Sequence, residues 1–490
     1  MRSPRLVVTL LLGLAGGLLP ALPAAAASPC TSVPSRTQPG LSVADPRCEF
    51  DGAGYTGARF EPLTDAAGRP ISRVHTGIRA GAAYRIEVPL RWNGDLILYA
   101  RGYLGEGSTV WVSDPPLRDY AVRHGFAWAT SSYQRNGYDI GHGVTDTHAL
   151  IGVFAGTMRP PRAVYLTGAS MGGHVVAVSI EKYRDYAGAL PLCGVLADAR
   201  FFDYYLDATA TAAALTGTAL RYPLDPAGGA AYAPRFVAAM RAALPRLGTG
   251  FNAGDPAGVT LTPLGRQWAS TVEDRTGGVR PGFPAAIRFW TSANFAPLTG
   301  LPLPFSLYPG VTGGSRFVLG GAPFASGNVA GNDRTVYRFA GTRGPLRPAE
   351  RALNAAVLRV APTAAPSPDL SGLPGVAGDP RIPVLSLHGV GDLLVPISME
   401  QDYARRVAAH GQSGLFVSRA IRGLSHCEFT PTELGTAFGD LVDWVRHGHR
   451  PAGDPITDPR AVAAPAFGCR FTDPDPAAHA TFPTRCPARP

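Results

Sequence analysis

A single serine stands among small residues in Leu166-Thr167-Gly168-Ala169-Ser170-Met171-Gly172-Gly173-His174. The Gly-x-Ser-x-Gly spacing matters because small flanking residues let a strand and a following helix crowd together around a strained apex. A hydroxyl held there projects into open space, reachable by a base from one side and a substrate carbonyl from the other. The neighbouring residues supply both elements: Ala163-Val164-Tyr165-Leu166 reads as the strand, and Val175 to Ile180 as a buried helix. Such a serine is a poor nucleophile until a base takes its proton, and the base needs a carboxylate to fix its tautomer. Both follow in the order Ser, Asp, His. Asp392 lies in His388-Gly389-Val390-Gly391-Asp392-Leu393-Leu394-Val395-Pro396, and His426 ends Gly423-Leu424-Ser425-His426. Each of the three falls at the C-terminal end of a predicted strand, where open α/β sheets place their ligands. Asp402 is the weaker acid because it lies inside the next helix, and His388 is expected to pack beneath the site. His142 and His148 with Asp146 lack a fourth ligand, so no metal is expected.

These residues need a scaffold, and the surrounding pattern describes one. Tyr84 to Leu90 alternates as a half-solvated strand, while Asp95 to Ala100 is a short buried run that ends in the glycine-rich loop Arg101-Gly102-Tyr103-Leu104-Gly105. A helix over Pro116 to His124, a strand over Phe126 to Thr130 and a helix over Thr145 to Thr157 lead to the serine. Another strand spans Ala187 to Leu196. The rhythm resumes with a strand at Ile382 to Leu387, a helix at Ser398 to His410, a strand at Leu415 to Ile421 and a helix at Thr432 to His447. This alternation predicts an α/β fold with a doubly wound, mostly parallel sheet, its core drawn from 81–197 and 380–449. Residues 198–379 are too long for a connection and are expected to form a mainly helical inserted cap. Its aromatics, Phe201, Tyr204, Tyr205, Trp268, Trp290 and Phe295, are expected to build the cap's own core. Residues 28–80 read as an N-terminal arm with little regular structure, and 450–490 as a Pro-rich tail too short for a separate polymer-binding domain.

With 45% hydrophobic residues in 490, the chain can bury a large core. Its formal charge of +9 is nearly all arginine, and no basic-aromatic cluster suggests nucleic acid. Lys182 is the sole lysine and is expected on an exposed helix face, which argues against Schiff-base or Ser-Lys chemistry. Arg2 and Arg5, the apolar run Leu6 to Leu22 and the small residues Ala24 to Ala27 read as a signal peptide over 1–27. The protein is therefore expected to be secreted, and no later stretch is apolar enough for stable membrane insertion. All six cysteines follow the leader, and an even number in a secreted chain implies disulfides, with fifteen connectivities open. The favoured pairing is Cys30–Cys48 and Cys469–Cys486, stapling the terminal arms, with Cys193–Cys427 tying the strand after the serine helix to the loop of His426.

Over about 80–200 and 380–448 the motifs resemble the α/β-hydrolase superfamily, and within it the secreted serine esterases and lipases. The most specific of them is the acid segment, which matches an HGxxDxxVP pattern at residues 388–396. The resemblance implies that Ser170 is the nucleophile, His426 its base and Asp392 the acid that orients the base. It further implies an oxyanion hole made by the backbone N–H of Met171 and, by position, that of Tyr103. Here the chain departs from the pattern: Arg101-Gly102-Tyr103 carries arginine where many relatives have histidine. Cys427, directly after His426, resembles secreted feruloyl esterases and tannases, in which a disulfide joins the neighbours of serine and histidine. Ala169 precedes Ser170 here, so Cys193 is the cysteine placed to substitute. The implied function is cleavage of carboxylic esters, small or polymeric, through an acyl-enzyme by a monomer without a cofactor. Two rivals are a prolyl-type serine peptidase, which lacks support from any N-terminal propeller or acidic pair, and a noncatalytic binding protein, which would not need all three groups. A dehalogenase would need aspartate at the turn.

Overall fold

Every residue from Leu96 to Ala100 is apolar, a pattern suited to a strand covered on both faces, and all of Asp95–Ala100 is buried. The computed structural model, which describes residues 29–105, 107–220, 229–293, 328–483 and 486, builds its main sheet around this strand. In chain order the eight strands are β1 (Ser72–Arg79), β2 (Ala82–Pro89), β3 (Asp95–Ala100), β4 (Ala127–Ser131), β5 (Ala163–Ala169), β6 (Gly188–Leu192), β7 (Val384–Gly389) and β8 (Phe416–Ile421). Their spatial order is β8-β7-β6-β5-β3-β4-β2-β1. Neighbours from β4 through β3 to β8 are parallel, while β2 pairs antiparallel with both β4 and β1.

Alternate residues sort onto two cores, as the period-two geometry of strands demands. Leu96, Leu98 and Ala100 join one cluster with residues of α2 (Ile140–Thr157), α3 (Met171–Lys182) and α9 (Ser398–Ala409). Ile97, Trp128, Tyr165 and Leu190 join the other, against α1 (Arg118–Arg123) and α10 (Pro431–His447). Register aligns the strand ends: Gly168 faces Ala100, Ala169 faces Leu192, and Gly389 faces Ile421. The loops after β3, β5, β6, β7 and β8 therefore leave one edge of the sheet together.

The arm differs from its sequence reading. Residues Ser72–Arg79 form a full edge strand that pairs with β2 along its length. Most of its side chains are partly or fully exposed, so an edge position left no strong apolar pattern to read. Helix α2 likewise starts at Ile140 rather than Thr145, because the Asp139 carboxylate caps it by accepting from the His142 N–H at 3.0 Å. Between β6 and β7, the described residues carry α4 (Ala199–Thr216), α5 (Gly229–Leu247), α6 (Pro263–Arg275), α7 (Phe283–Ala293) and α8 (Pro348–Ala356), with a two-strand pairing of Gly248–Thr249 and Thr260–Leu261. Phe201, Tyr204, Tyr205 and Trp268 are buried there, and the Trp268 indole donates to the Ala208 carbonyl at 3.0 Å. Phe295 and residues 1–27, expected to be a signal peptide, lie outside the described residues.

All six cysteines are paired, as Cys30–Cys48, Cys193–Cys427 and Cys469–Cys486. The second spans 234 positions, and closing so long a loop is worth about 5 kcal/mol in the chain-entropy account. No described helix is long and apolar enough to cross a membrane.

Candidate active site

Ser170 caps α3 with φ 59° and ψ −121°, a conformation that an L-residue adopts only under constraint. Backbone hydrogen bonds impose it. The Ser170 N–H donates to Leu192 at 3.0 Å, and its carbonyl accepts from Gly173 at 2.9 Å and Val195 at 3.1 Å. Two glycines make the turn possible, because a Cβ at Gly172 would strike the Ala100 carbonyl and one at Gly168 would strike the carbonyl of Gly172. Met171 opens α3, so its N–H is one of the groups a helix start leaves without an intrahelical acceptor. The loop after β3 packs against the turn: a Cβ built on Gly102 would lie 3.4 Å from the Cβ of Ser170. Tyr103, next in that loop, is partly buried.

Asp392 is wholly buried after β7. Its Oδ1 accepts from the backbone N–H groups of Leu394 at 2.9 Å and Val395 at 3.0 Å, which fixes the carboxylate and leaves Oδ2 for His426 Nδ1 at 2.6 Å. The other ring nitrogen, His426 Nε2, is buried and makes no hydrogen bond among the described residues. Ser170 is thus not hydrogen-bonded to it here; catalytic bonds in unliganded sites are often long and tighten only with substrate. The Cys193–Cys427 disulfide ties the loop of His426 to the strand end beside the serine turn. Cys193 follows Leu192, the acceptor for Ser170, and a His426 ring nitrogen lies within 4.8 Å of both sulfurs of Cys193–Cys427. Because those sulfurs are bonded to each other, this cluster offers no thiolate to a metal.

The acid and histidine loops are laced together and then to the insert. Val390 and Gly391 donate to the carbonyls of Ile421 at 2.8 Å and Gly423 at 2.9 Å. Trp290 of α7 donates its indole N–H to both Gly391 and Leu424 at 2.9 Å. Tyr204 and Tyr205 of α4 donate to Leu393 at 2.8 Å and Leu394 at 3.3 Å, and Arg280 donates to Val390 at 2.7 Å. From sequence these aromatics read only as core of the insert. That their polar tips hold the acid loop is not visible there, because nothing in local spacing reveals a partner about a hundred or more positions away.

The remaining histidines separate cleanly. His388 is fully buried beneath the acid loop, its Nδ1 3.0 Å from Glu400 and its Nε2 2.7 Å from the Val395 carbonyl. Burial opposes its charge, but the Glu400 carboxylate outweighs burial and raises its pKa. Its ring nitrogens face Glu400 and the Val395 carbonyl, so it braces the acid loop from beneath. His142 pairs with Asp139 and His148 with Asp185, each at 2.7 Å, while Asp146 accepts from Gln134. They share no ligand point. Asp402 pairs with Arg406 at 2.9 Å inside α9.

The tail reaches the histidine loop through residues that spacing does not flag. Glu428 accepts from the N–H groups of Leu424 and Ser425, and His479 bridges Glu428 at 3.2 Å and Glu433 at 2.9 Å. Burial would lower the His479 pKa, but its hydrogen bonds to Glu428 and Glu433 win and raise it to about 9. A raised histidine pKa stabilises the fold fully below its unfolded value of about 6.5, and the contribution fades as pH rises through about 9. In thermal melts the native protein should exceed His479→Gln by about 2–4 °C at pH 6, and the gap should close by pH 10. An equal gap at both pH values would show that the charge contributes nothing.

The strand order, the strained serine turn between β5 and α3, and an acid and a histidine after β7 and β8 together constitute the α/β-hydrolase fold. No protein-family model matches the chain. An o-phthalyl amidase of Xanthobacter agilis is 32% identical over 88 residues, which is 18% of this chain and 19% of the relative, so the chain spans less than a fifth of that protein's length. Among solved structures, feruloyl esterase B from Aspergillus oryzae aligns at 15% identity and a TM-score of 0.42, over 77% of this chain and 80% of its own. The rice cell wall degrading esterase LipA from Xanthomonas oryzae, in a ligand-bound form, aligns at 14% identity and a TM-score of 0.31, over 70% and 79%.

Proposed function

We propose that the protein is a secreted serine hydrolase that cleaves carboxylic esters through Ser170, His426 and Asp392. The observation that carries this reading is the 2.6 Å Asp392–His426 bond, with a buried Nε2 that makes no hydrogen bond among the described residues, on a loop that the Cys193–Cys427 disulfide ties to the strand paired with that of the serine. Asp392 holds the proton on Nδ1, so Nε2 is free to take the Ser170 proton as Oγ attacks the ester carbonyl. The N–H groups of Met171 and Tyr103 would receive the oxyanion, each such donor being worth about 3–4 kcal/mol of barrier in comparable enzymes. The imidazolium then protonates the leaving alkoxide, and water repeats the sequence on the acyl-enzyme. Three disulfides agree with an extracellular site of action. The same groups can protonate an amine, and the 88-residue likeness to an amidase favours an amide as the second reading.

A substrate panel separates them. Para-nitrophenyl esters of rising chain length should be turned over, with aminoacyl and phthalyl anilides far slower. A fluorophosphonate should modify Ser170 alone, as read by peptide mass mapping. Anilides hydrolysed faster than esters would transfer the assignment to amidase, and no turnover with an unmodified Ser170 would leave a binding protein on a hydrolase scaffold.

A further inference from the structure

The Gly102–Tyr103 peptide unit has two polar ends. Its N–H is the second oxyanion donor of the proposed reaction, and any role for the opposite end rests on that reading. Its carbonyl accepts from Nη1 of Arg101 at 3.0 Å. That guanidinium is wholly buried, and its hydrogen bonds among the described residues all go to neutral oxygens. Nε donates to the Ser132 carbonyl at 2.9 Å, and Nη2 to the same carbonyl at 2.5 Å, to the Arg135 carbonyl at 3.2 Å and to Asn136 Oδ1 at 3.4 Å. The Tyr133 ring lies 4.4 Å from the guanidinium carbon, and its hydroxyl fixes the Arg101 carbonyl at 3.1 Å. Burial lowers the Arg101 pKa to about 10, so the group stays charged at neutral pH.

A buried cation without a hydrogen-bonded carboxylate is an expensive way to tie two loops together, and a neutral amide would make several of the same bonds. The arrangement gains a purpose when negative charge develops nearby. We propose that Arg101 is a positioning residue that orients and polarises the Gly102–Tyr103 peptide, so that the Tyr103 N–H becomes a stronger donor to the oxyanion. Amide resonance links the two ends of the unit: a cation at the carbonyl oxygen draws density from nitrogen and makes the N–H more acidic. The positive charge is held in place before reaction, which is the condition for electrostatic stabilisation of a transition state. This also accounts for the departure from the family pattern, since arginine replaces the usual histidine without vacating the loop. The packing of Gly102 on Ser170 puts the polarised unit beside the nucleophile.

The test compares Arg101→Met and Arg101→Lys in the full chain. With a p-nitrophenyl ester, the methionine variant should lose about 10–100-fold in kcat with KM little changed. An aryl trifluoromethyl ketone, whose adduct with Ser170 carries an oxyanion, should lose affinity by the same factor as kcat/KM. The matching trifluoromethyl alcohol, which forms no adduct, should bind as before. Lysine should recover part of the loss, and it carries the comparison if the methionine variant fails to fold by circular dichroism. Equal weakening of ketone and alcohol, or a change in KM alone, would reduce Arg101 to a loop tie and overturn the proposal. Variants with unaltered kcat, in a protein whose Ser170 reacts with fluorophosphonate, would overturn it while sparing the nucleophile assignment. Failure of the native protein to react at Ser170 would remove both.

Discussion

Ser170→Ala is expected to lower kcat on p-nitrophenyl acetate by about 10⁴–10⁶-fold, the scale of nucleophile loss in other serine hydrolases. The expected size follows from the division of labour: without Oγ no acyl-enzyme forms, and only substrate binding and the oxyanion donors remain to assist water. Stability should barely move. Alanine keeps a Cβ at φ 59°, so the turn's strain persists, and the bonds to Leu192, Gly173 and Val195 are all backbone. Unchanged melting with abolished turnover is therefore the signature of a catalytic serine. A structural serine would give the reverse, lost melting temperature with activity falling only in proportion to folded protein. Turnover within tenfold of the native protein would dismiss Ser170 as nucleophile.

The parts of the molecule legible in the sequence are those where local chemistry and tertiary need coincide. The serine turn is readable because close approach forbids side chains at Gly168 and Gly172, which leaves a glycine signature in the chain. Buried strands such as β3 are readable because both faces are covered, so every residue from Leu96 to Ala100 must be apolar. The pairing Cys193–Cys427 is favoured in the sequence because it would tie the strand after the serine helix to the loop of His426, and the structure forms that bond. Edge strand β1 escapes a sequence reading because water accepts any polar residue on most of its positions. The supports of the site are hidden for a different reason. Trp290, Arg280, Tyr204 and His479 act through hydrogen bonds to loops 51 to 189 positions away, and one polar tip on a buried side chain has no local spacing to betray it. Arg101 stands out in the sequence only as a departure from a pattern. Its partners, rather than its position, show what such a residue can do.

Asp392→Asn should cost about 10⁴-fold in kcat, as the corresponding change does in serine proteases, and the geometry says why so small a change has so large a result. The Leu394 and Val395 N–H groups both point at Oδ1, so the asparagine oxygen must occupy that place. Its NH₂ is then forced toward His426 Nδ1, which can only accept. The imidazole carries its proton on Nε2 instead, facing Ser170 with a donor where an acceptor is needed. The loop itself should hold, because both backbone donors keep their partner, and the melting temperature should stay near the native value. Asp392→Ala removes that partner as well and should destabilise the protein by about 1–3 kcal/mol for the donors left unpaired in the interior. Asp402→Asn serves as the control, since its carboxylate meets Arg406 within α9, and it should retain native kcat. Stopped-flow or steady-state rates on one ester, together with melting curves for the three variants, suffice. If Asp392→Asn stays within tenfold of the native enzyme, the carboxylate does not set the tautomer of His426, and the 2.6 Å bond is structural only.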